Sequence, residues 1–456
     1  MRRTLRIITS FLLAVAGMVG SPGRAPVQGQ TEISLVISAD PGAPPSYAVP
    51  DFVALTAEPD TAAAARTIAQ VLWNDLAFER EIDVIPRDTY QSIPAARSVG
   101  TIAYDRWREL GADGLVFGTV RKVGDDYHVE ARLLNVQSRQ QAYGRVIVGR
   151  AANARAFAHE IADDIHQQQR GLRGVARTKL AFSSDRDGER LVGTVERREI
   201  KEIYISDYDG ANPRRVTVDR SLSVFPVWTP DARGILYTSY ARGWPQLLLS
   251  RIYEGLRLEP TKNHATAADG FAPQSTLGVV SPDGKRIAFS SERDGNTEIY
   301  VMDLDGSNLF RLTNHPAADT TPTWGPNGRQ LAFTSDRRGS PQIYTTNADG
   351  TNLNSLTSEA YADRATWSPL GTEIVYTART GLGNDIKIID LTTRQVRQLT
   401  FSEGTNESPA FAPNGRHIAF TSTRFGRTQV LTMARDGNNV RQITREGANY
   451  APSWSN

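Results

Sequence analysis

Pro322-Thr323-Trp324-Gly325-Pro326-Asn327-Gly328-Arg329-Gln330-Leu331-Ala332-Phe333-Thr334-Ser335 is the stretch on which the fold turns. It runs on into Asp336-Arg337-Arg338-Gly339, Gln342-Ile343-Tyr344, Asp349-Gly350 and Leu356-Thr357. A second copy precedes it: Val280-Ser281-Pro282-Asp283-Gly284, Ile287-Ala288-Phe289-Ser290-Ser291, Arg293-Asp294-Gly295, Glu298-Ile299-Tyr300, Asp305-Gly306 and Leu312-Thr313. Further copies open at Trp367-Ser368-Pro369 and Phe411-Ala412-Pro413-Asn414-Gly415. The anchor at the head of each unit recurs at 228, 280, 324, 367, 411 and 454, with spacings of 52, 44, 43, 44 and 43. Self-similarity at a fixed period marks a repeat architecture. The long first spacing places an insertion within Glu259 to Thr276.

Each unit divides into four short strands: a run ending in Pro-x-Trp, then Leu331 to Ser335, Gln342 to Thr346, and Asn354 to Thr357. Asn327-Gly328 and Asp349-Gly350 are turn signals, because Asn, Asp and Gly tolerate positive φ. Four strands per 40-odd residues make the blade of a β-propeller. A helical solenoid is excluded, since no unit carries a sustained 3.6-residue apolar period. The ends set the blade number. The repeat opening at Lys179-Leu180-Ala181-Phe182-Ser183-Ser184 has no Pro-x-Trp strand before it. The chain finishes on Pro452-Ser453-Trp454-Ser455, a first strand with nothing after it. Pairing residues 449 to 455 with 179 to 184 closes a six-bladed ring and leaves no long exposed edge.

Working outward, the residues before Lys179 show no repeat. Glu32 to Ile37 and Tyr47 to Leu55 read as strands, the second interrupted by Pro50. Thr61 to Phe78 reads as a helix, with Ile68, Val71, Leu72 and Leu76 on one face and Asp60 as its cap. Asp83 to Pro86 is a short strand, and Ala103 to Leu110 a helix ending near Gly111. Leu115 to Val120 and Tyr127 to Leu134 form a hairpin across Gly124-Asp125, Arg145 to Gly149 adds a strand, and Phe157, Ile161 and Ile165 mark a closing helix. The fold class expected is therefore an α/β N-terminal domain, residues 31–171, followed by an all-β six-bladed β-propeller, residues 178–456, with a linker from Gln167 to Arg177.

Composition agrees with soluble globular domains: 39% hydrophobic and 22% charged residues over a length that calls for more than one domain. A formal net charge of +2 gives no reason to expect nucleic acid. The absence of cysteine removes disulfides, thiolate metal sites and cysteine nucleophiles together. Arg2, Arg3 and Arg6, the apolar run Ile7 to Gly20 and then Ser21-Pro22-Gly23 have the order of a secretory signal peptide, expected over residues 1–27. Cleavage could follow Ala16, Ala25 or a residue near Gln28. The apolar run is short of the roughly 20 residues that span a bilayer.

Catalytic signatures are thin. There is no Gly-x-Ser-x-Gly elbow and no phosphate-binding Gly-x4-Gly-Lys. His159-Glu160 and His166 stand seven apart rather than the four that place two imidazoles on one turn, and read as a solvated helix face. Asp207 to Asn212 and Asp303 to Asn308 start like calcium loops but lack the later bidentate acid and fall where a hairpin turn is needed. No catalytic residue, metal or cofactor is expected.

The better candidates are the polar segments that lead into each first strand: His264, His315, Asp319, Thr320, Thr321, Asp363, Arg364, Asn406, Glu407, Asn449 and Tyr450. Ring closure brings them together at the channel mouth, and loops on a rigid scaffold are where binding usually sits. The alternative is a set of merely solvated loops.

With the leader, the Ala48-Val49-Pro50-Asp51-Phe52 and Gly111-Ala112-Asp113-Gly114-Leu115-Val116-Phe117-Gly118 segments, blades of the type Ser281-Pro282-Asp283-Gly284-Lys285-Arg286-Ile287-Ala288-Phe289, and the closing Pro452-Ser453-Trp454-Ser455, the chain resembles the TolB family of the Tol-Pal system of Gram-negative envelopes. The resemblance implies a periplasmic, non-enzymatic protein of outer-membrane integrity and cell division. Its propeller mouth would bind a Pal-like peptidoglycan-associated lipoprotein, and its mature N-terminus a TolA-like inner-membrane protein. Association with membranes would be through partners only. The family places a partner-contacting histidine where His264 stands, although the lead-in from Ala265 to Val279 is longer than usual and Gly278-Val279-Val280 replaces Pro-x-Trp. Two other classes remain open: a propeller hydrolase or lyase acting on an envelope glycan, and a propeller binding a small ligand.

Overall fold

The computed structural model describes residues 43–190, 200–261 and 274–456. The expected leader, the expected strand at Glu32 to Ile37 and His264 lie outside the described residues.

The N-terminal domain carries β1 (Ser46–Ala48), β2 (Val53–Ala54), α1 (Pro59–Glu79), β3 (Asp83–Val84), α2 (Tyr104–Glu109), β4 (Gly114–Val123), β5 (Asp126–Asn135), β6 (Gln141–Arg150) and α3 (Ala154–Arg170). The sheet runs β3-β1-β4-β5-β6, with β2 also on β4. β1 and β2 lie parallel to β4, whereas β4, β5 and β6 form an antiparallel meander. Tyr47 to Leu55 is thus two short strands rather than one. Pro50, which has no N–H for a ladder, stands in the break. Asp60 is not the cap of α1. Glu58 holds that position, Pro59 opens the helix, and Asp60 sits in the first turn, where its charge suits the helix dipole. Ile68, Leu72 and Leu76 of α1 and Phe157, Ile161 and Ile165 of α3 enter one core.

Six four-stranded blades follow. Reading outward from the axis, blade 2 is Ser223–Trp228, Gly234–Ser239, Gln246–Arg251 and Leu256–Leu258, and blade 3 is Ser275–Val280, Arg286–Ser291, Glu298–Asp303 and Phe310–Arg311. Blade 4 is Asp319–Trp324, Gln330–Ser335, Gln342–Asn347 and Asn354–Ser355. Blade 5 is Ala362–Trp367, Glu373–Thr380, Gly383–Asp390 and Val396–Gln398, and blade 6 is Asn406–Phe411, His417–Phe425, Arg427–Ala434 and Arg441–Gln442. Blade 1 takes its innermost strand, Asn449–Trp454, from the far end of the chain and the rest from Lys179–Ser184, Glu202–Asp207 and Arg214–Arg215. Tyr450 faces Ser183 and Trp454 faces Leu180 in that ladder, so the C-terminal strand closes the ring as the sequence requires.

Two recurrent side chains explain why the repeat keeps its polar letters. In five of the blades the Thr of the Leu-Thr or equivalent ending is buried between outer strands. Thr357 accepts from the Ile343 amide at 2.9 Å and donates to Gln342, and Thr444 does the same with Val430 and Gln429. Thr217, Thr313 and Thr400 occupy the same place in their blades. The second is the Arg of Ser-x-Arg. Arg337 donates from Nε to Ser335 at 2.9 Å and from Nη2 to Asp319 at 2.8 Å, and its guanidinium lies 4.9 Å from the Tyr344 ring centre. Arg186 and Arg424 bind Asn449 and Asn406 in the same way. A planar guanidinium both stacks and forks, which a lysine would not do.

The two domains share apolar core: Phe78 and Ile161 belong to the same buried cluster as Leu180, Tyr208 and Trp454. The face of α3 expected to be solvated is buried instead, His159 being 4% and His166 1% exposed. The reason is docking: α3 lies against α1, and the propeller covers what remains. His159 Nδ1 meets Asp75 at 2.8 Å, and Asp75 accepts from the Tyr208 hydroxyl of the propeller at 2.7 Å. Burial opposes a charge on His159, but the carboxylates of Asp207 and Asp75 outweigh it and lift its pKa to about 9. Asp75 is the direct partner, since Asp207 is 3.9 Å from Nε2, too far for a hydrogen bond. Around Glu79 a second cluster forms. Its carboxylate accepts from the Val175 amide at 2.9 Å, Arg416 Nη2 at 2.6 Å and Asn414 Nδ2 at 3.2 Å, and lies 3.2 Å from His417 Nε2. Burial pushes its pKa up, but His417, His166 and Arg416 prevail and hold it at about 2. Nor is Gln167 to Arg177 a loose linker: α3 runs to Arg170, and Val175 and Ala176 are buried and hydrogen-bonded to Glu79 and Asp163.

Candidate binding site at the propeller mouth

Asn414 and Arg416 lie in the turn that ends an innermost strand, and they meet the N-terminal domain. The six innermost strands therefore begin on the opposite face, at an open mouth. Ring order brings blades 2 and 5 across the axis from each other.

All six strands share one distortion. The third residue of each is left-handed without being glycine: Phe225 (φ 55°), Leu277 (55°), Thr321 (49°), Arg364 (52°), Ser408 (53°) and Ala451 (49°). The register of every innermost ladder shifts at the same point. This is a β-bulge repeated six times. Non-glycine residues held at positive φ cost of order 1–3 kcal/mol each and persist only where the surroundings impose them. In four blades the next residue is proline, Pro226, Pro322, Pro409 and Pro452. Lacking an N–H, it leaves no orphan donor where the ladder is broken.

Behind the bulges lies a cavity of about 180 Å³ to which all six innermost strands contribute. One side chain spans it. The Arg364 guanidinium reaches from blade 5 to within 4.6 Å of the Phe225 ring centre on blade 2. Asp363, 3.8 Å from Arg364, accepts from Thr321 at 3.1 Å, Thr334 at 2.9 Å and Tyr361 at 3.0 Å, which ties blade 4 to blade 5. Burial, with Asp363 beside it, pushes the Tyr361 hydroxyl up to about 12. Glu407 accepts from Asn384 at 2.6 Å, and Lys201 lies 3.9 Å from the Tyr450 ring centre.

Those of the residues singled out in the sequence that the structure describes fall into two groups, with His315 apart from both. Asp319, Asn406 and Asn449 head their strands, are fully buried and are held by the blade arginines, so they build the rim from within. Burial raises the Asp319 carboxyl above its ordinary range, against its bonds to Ser335 and Arg337. Thr320, Thr321, Asp363, Arg364, Glu407 and Tyr450 are half-buried around the mouth. His315 is half-buried in the lead-in to blade 4, its amide donating to Glu298 at 2.6 Å and its Nδ1 accepting from Ala317 at 3.0 Å. Sequence reasoning missed Phe225, Tyr361 and Lys201. Only the recurring proline after the bulged position hinted at the first.

Residues 167–456 match the family model described as the TolB beta propeller domain, and residues 30–142 the TolB amino-terminal domain. The chain belongs to the TolB family. A relative named Tol-Pal system protein TolB, from Anaeromyxobacter dehalogenans, is 33% identical over 316 residues, 69% of this chain and 67% of that one. A protein of the same name from Desulfosudis oleivorans is 31% identical over 58% of this chain and 57% of its own length. The crystal structure of TolB from Acinetobacter baumannii superposes with a TM-score of 0.75 at 27% identity, covering 91% of this chain and 97% of that structure. TolB membership places the chain in the Tol-Pal system, whose TolB proteins are not enzymes. Among the described residues, no helix is long and apolar enough to cross a membrane.

Proposed function

We propose that the chain is a periplasmic adaptor of the Tol-Pal system. Residues 1–27 would direct export, 31–171 form the α/β domain and 178–456 the propeller. The propeller mouth binds a Pal-like lipoprotein and the mature N-terminus a TolA-like inner-membrane protein, in support of outer-membrane integrity and cell division. Relatives named for the Tol-Pal system support the partners. The observation that carries the mouth as the binding surface is its strained rim: six bulged residues crowned by Arg364, Asp363, Glu407 and Tyr450 on the face away from the N-terminal domain. Backbone strain of this kind gathers at functional sites. The test is capture of the co-expressed lipoprotein by Glu407→Lys and Arg364→Glu variants. Each should lose at least tenfold in affinity with an unchanged melting temperature. Capture at native strength by both would refute the assignment.

A further inference from the structure

We infer that the N-terminal domain holds a second binding site, for a small amphiphilic monoanion with a compact apolar body and one carboxylate. A cavity of about 520 Å³ opens between the break in β1–β2, the segment from Ile93 to Arg97, α2 and β4. That volume is within the usual range of ligand pockets, about 300–1,000 Å³. Its floor is apolar and buried: Phe52, Ile102, Trp107, Leu115 and Phe117. The fold makes room for this floor deliberately. Gly118 has no side chain where the Phe52 ring lies, and a Cβ there would come within 2.2 Å of the ring.

The polar groups around the cavity are few, and most are already engaged. The Tyr90 hydroxyl donates to the Ile85 carbonyl at 2.8 Å and accepts from the Val49 amide at 3.0 Å. Asp51 is the one acid among the lining residues, and it pairs with Arg87. Two groups have no partner among the described residues: the indole N–H of Trp107 in the wall and the guanidinium of Arg97 at the exposed rim. Both are donors, and the second is a cation. With Asp51 neutralised by Arg87, the rim carries an excess of one positive charge. An occupant must therefore present an apolar body to the floor, an acceptor to Trp107 and a negative charge to Arg97. A medium-chain fatty acid has this chemistry. The site is in a different domain from the propeller mouth and does not depend on what binds there.

The test is titration of the whole chain with 8-anilinonaphthalene-1-sulfonate, read by its fluorescence, with decanoate and decanol as competitors. One saturable site displaced by decanoate at least tenfold more readily than by decanol is expected. Arg97→Glu, at an exposed position, should weaken decanoate at least tenfold without changing the melting temperature. Trp107→Phe, which keeps the shape and removes the donor, should weaken it several-fold. Ala96→Trp should fill the cavity and abolish binding. No saturable site on the native chain, or equal displacement by decanol and decanoate, or an unchanged affinity in Arg97→Glu, would overturn the inference. The Arg97 variant decides the matter alone should the filling variant fail to fold.

Discussion

Glu79→Gln isolates the charge that fastens α1 to the propeller. The amide keeps an acceptor for the Val175 N–H and nearly the same volume, so the loss is electrostatic. In the native chain the carboxylate is 5% exposed and faces Arg416 at 2.6 Å and His417 at 3.2 Å. Two routes give the magnitude. Removing one partner of a buried pair costs about 3–5 kcal/mol, because the other charge is left uncompensated. Separately, a pKa held at about 2 against an ordinary 4.5 corresponds to roughly 3 kcal/mol. The sign is fixed by the direction of the shift. A depressed carboxylate pKa stabilises the docked state above pH 4.5, and the contribution is lost as pH falls from 4.5 through 2. The assay is hydrogen exchange at the Val175 amide, which reports undocking directly and avoids assigning one unfolding free energy to a two-domain chain. At pH 7 the variant should exchange on the order of 100-fold faster than the native chain, and the gap should narrow as the pH drops below 4.5. A change of less than fivefold at pH 7, or a gap that does not depend on pH, would refute this account of the interface.

Other perturbations follow from the same geometry. His159, with a pKa lifted to about 9 from 6.5, stabilises the folded state fully below pH 6.5 and loses that contribution as pH rises through 9. A melting temperature that falls between pH 7 and 10 in the native chain, but less in His159→Gln, would show it. Arg337→Ala leaves Asp319 buried without its counter-charge and should cost about 3–5 kcal/mol in chemical denaturation, concentrated in blade 4. Thr357→Val removes the acceptor of the Ile343 amide and should cost about 1–3 kcal/mol, measurable as a lower denaturation midpoint. Trp454→Ala should cost about 3–5 kcal/mol and raise exchange along Lys179 to Ser184.

The propeller was legible because its information is local and repeated. Trp324, Asn327-Gly328 and Asp349-Gly350 specify strand and turn within a few residues, and the period multiplies a weak signal. The mouth was legible only in position. Nothing local separates the buried Asp319 from the half-buried Thr320, since both are polar, and only the arginine two residues past Ser335 reveals which of them is tied down. The bulge was illegible because Phe225, Leu277, Thr321, Arg364, Ser408 and Ala451 share no chemistry: the backbone is set by ring closure rather than by the residue. His159 and His166 were misread for a related reason. A helix pattern shows which face meets its own domain, but not that a second domain will cover the flank.

Blade 1 is sewn from segments 276 residues apart, as the Trp454 indole bonded to Thr178 shows. A chain synthesised from its N-terminus presents Lys179–Ser184 first and its partner strand last. For the whole interval the edge of that strand has no mate, and loop closure over such a span is slow. The ring therefore cannot mature blade by blade into a finished object. Until the last six-residue strand arrives, the nascent protein is an open arc with a template for mispairing at one end. Loss of the Asn449–Trp454 strand would expose the edge of Lys179–Ser184 that it now covers.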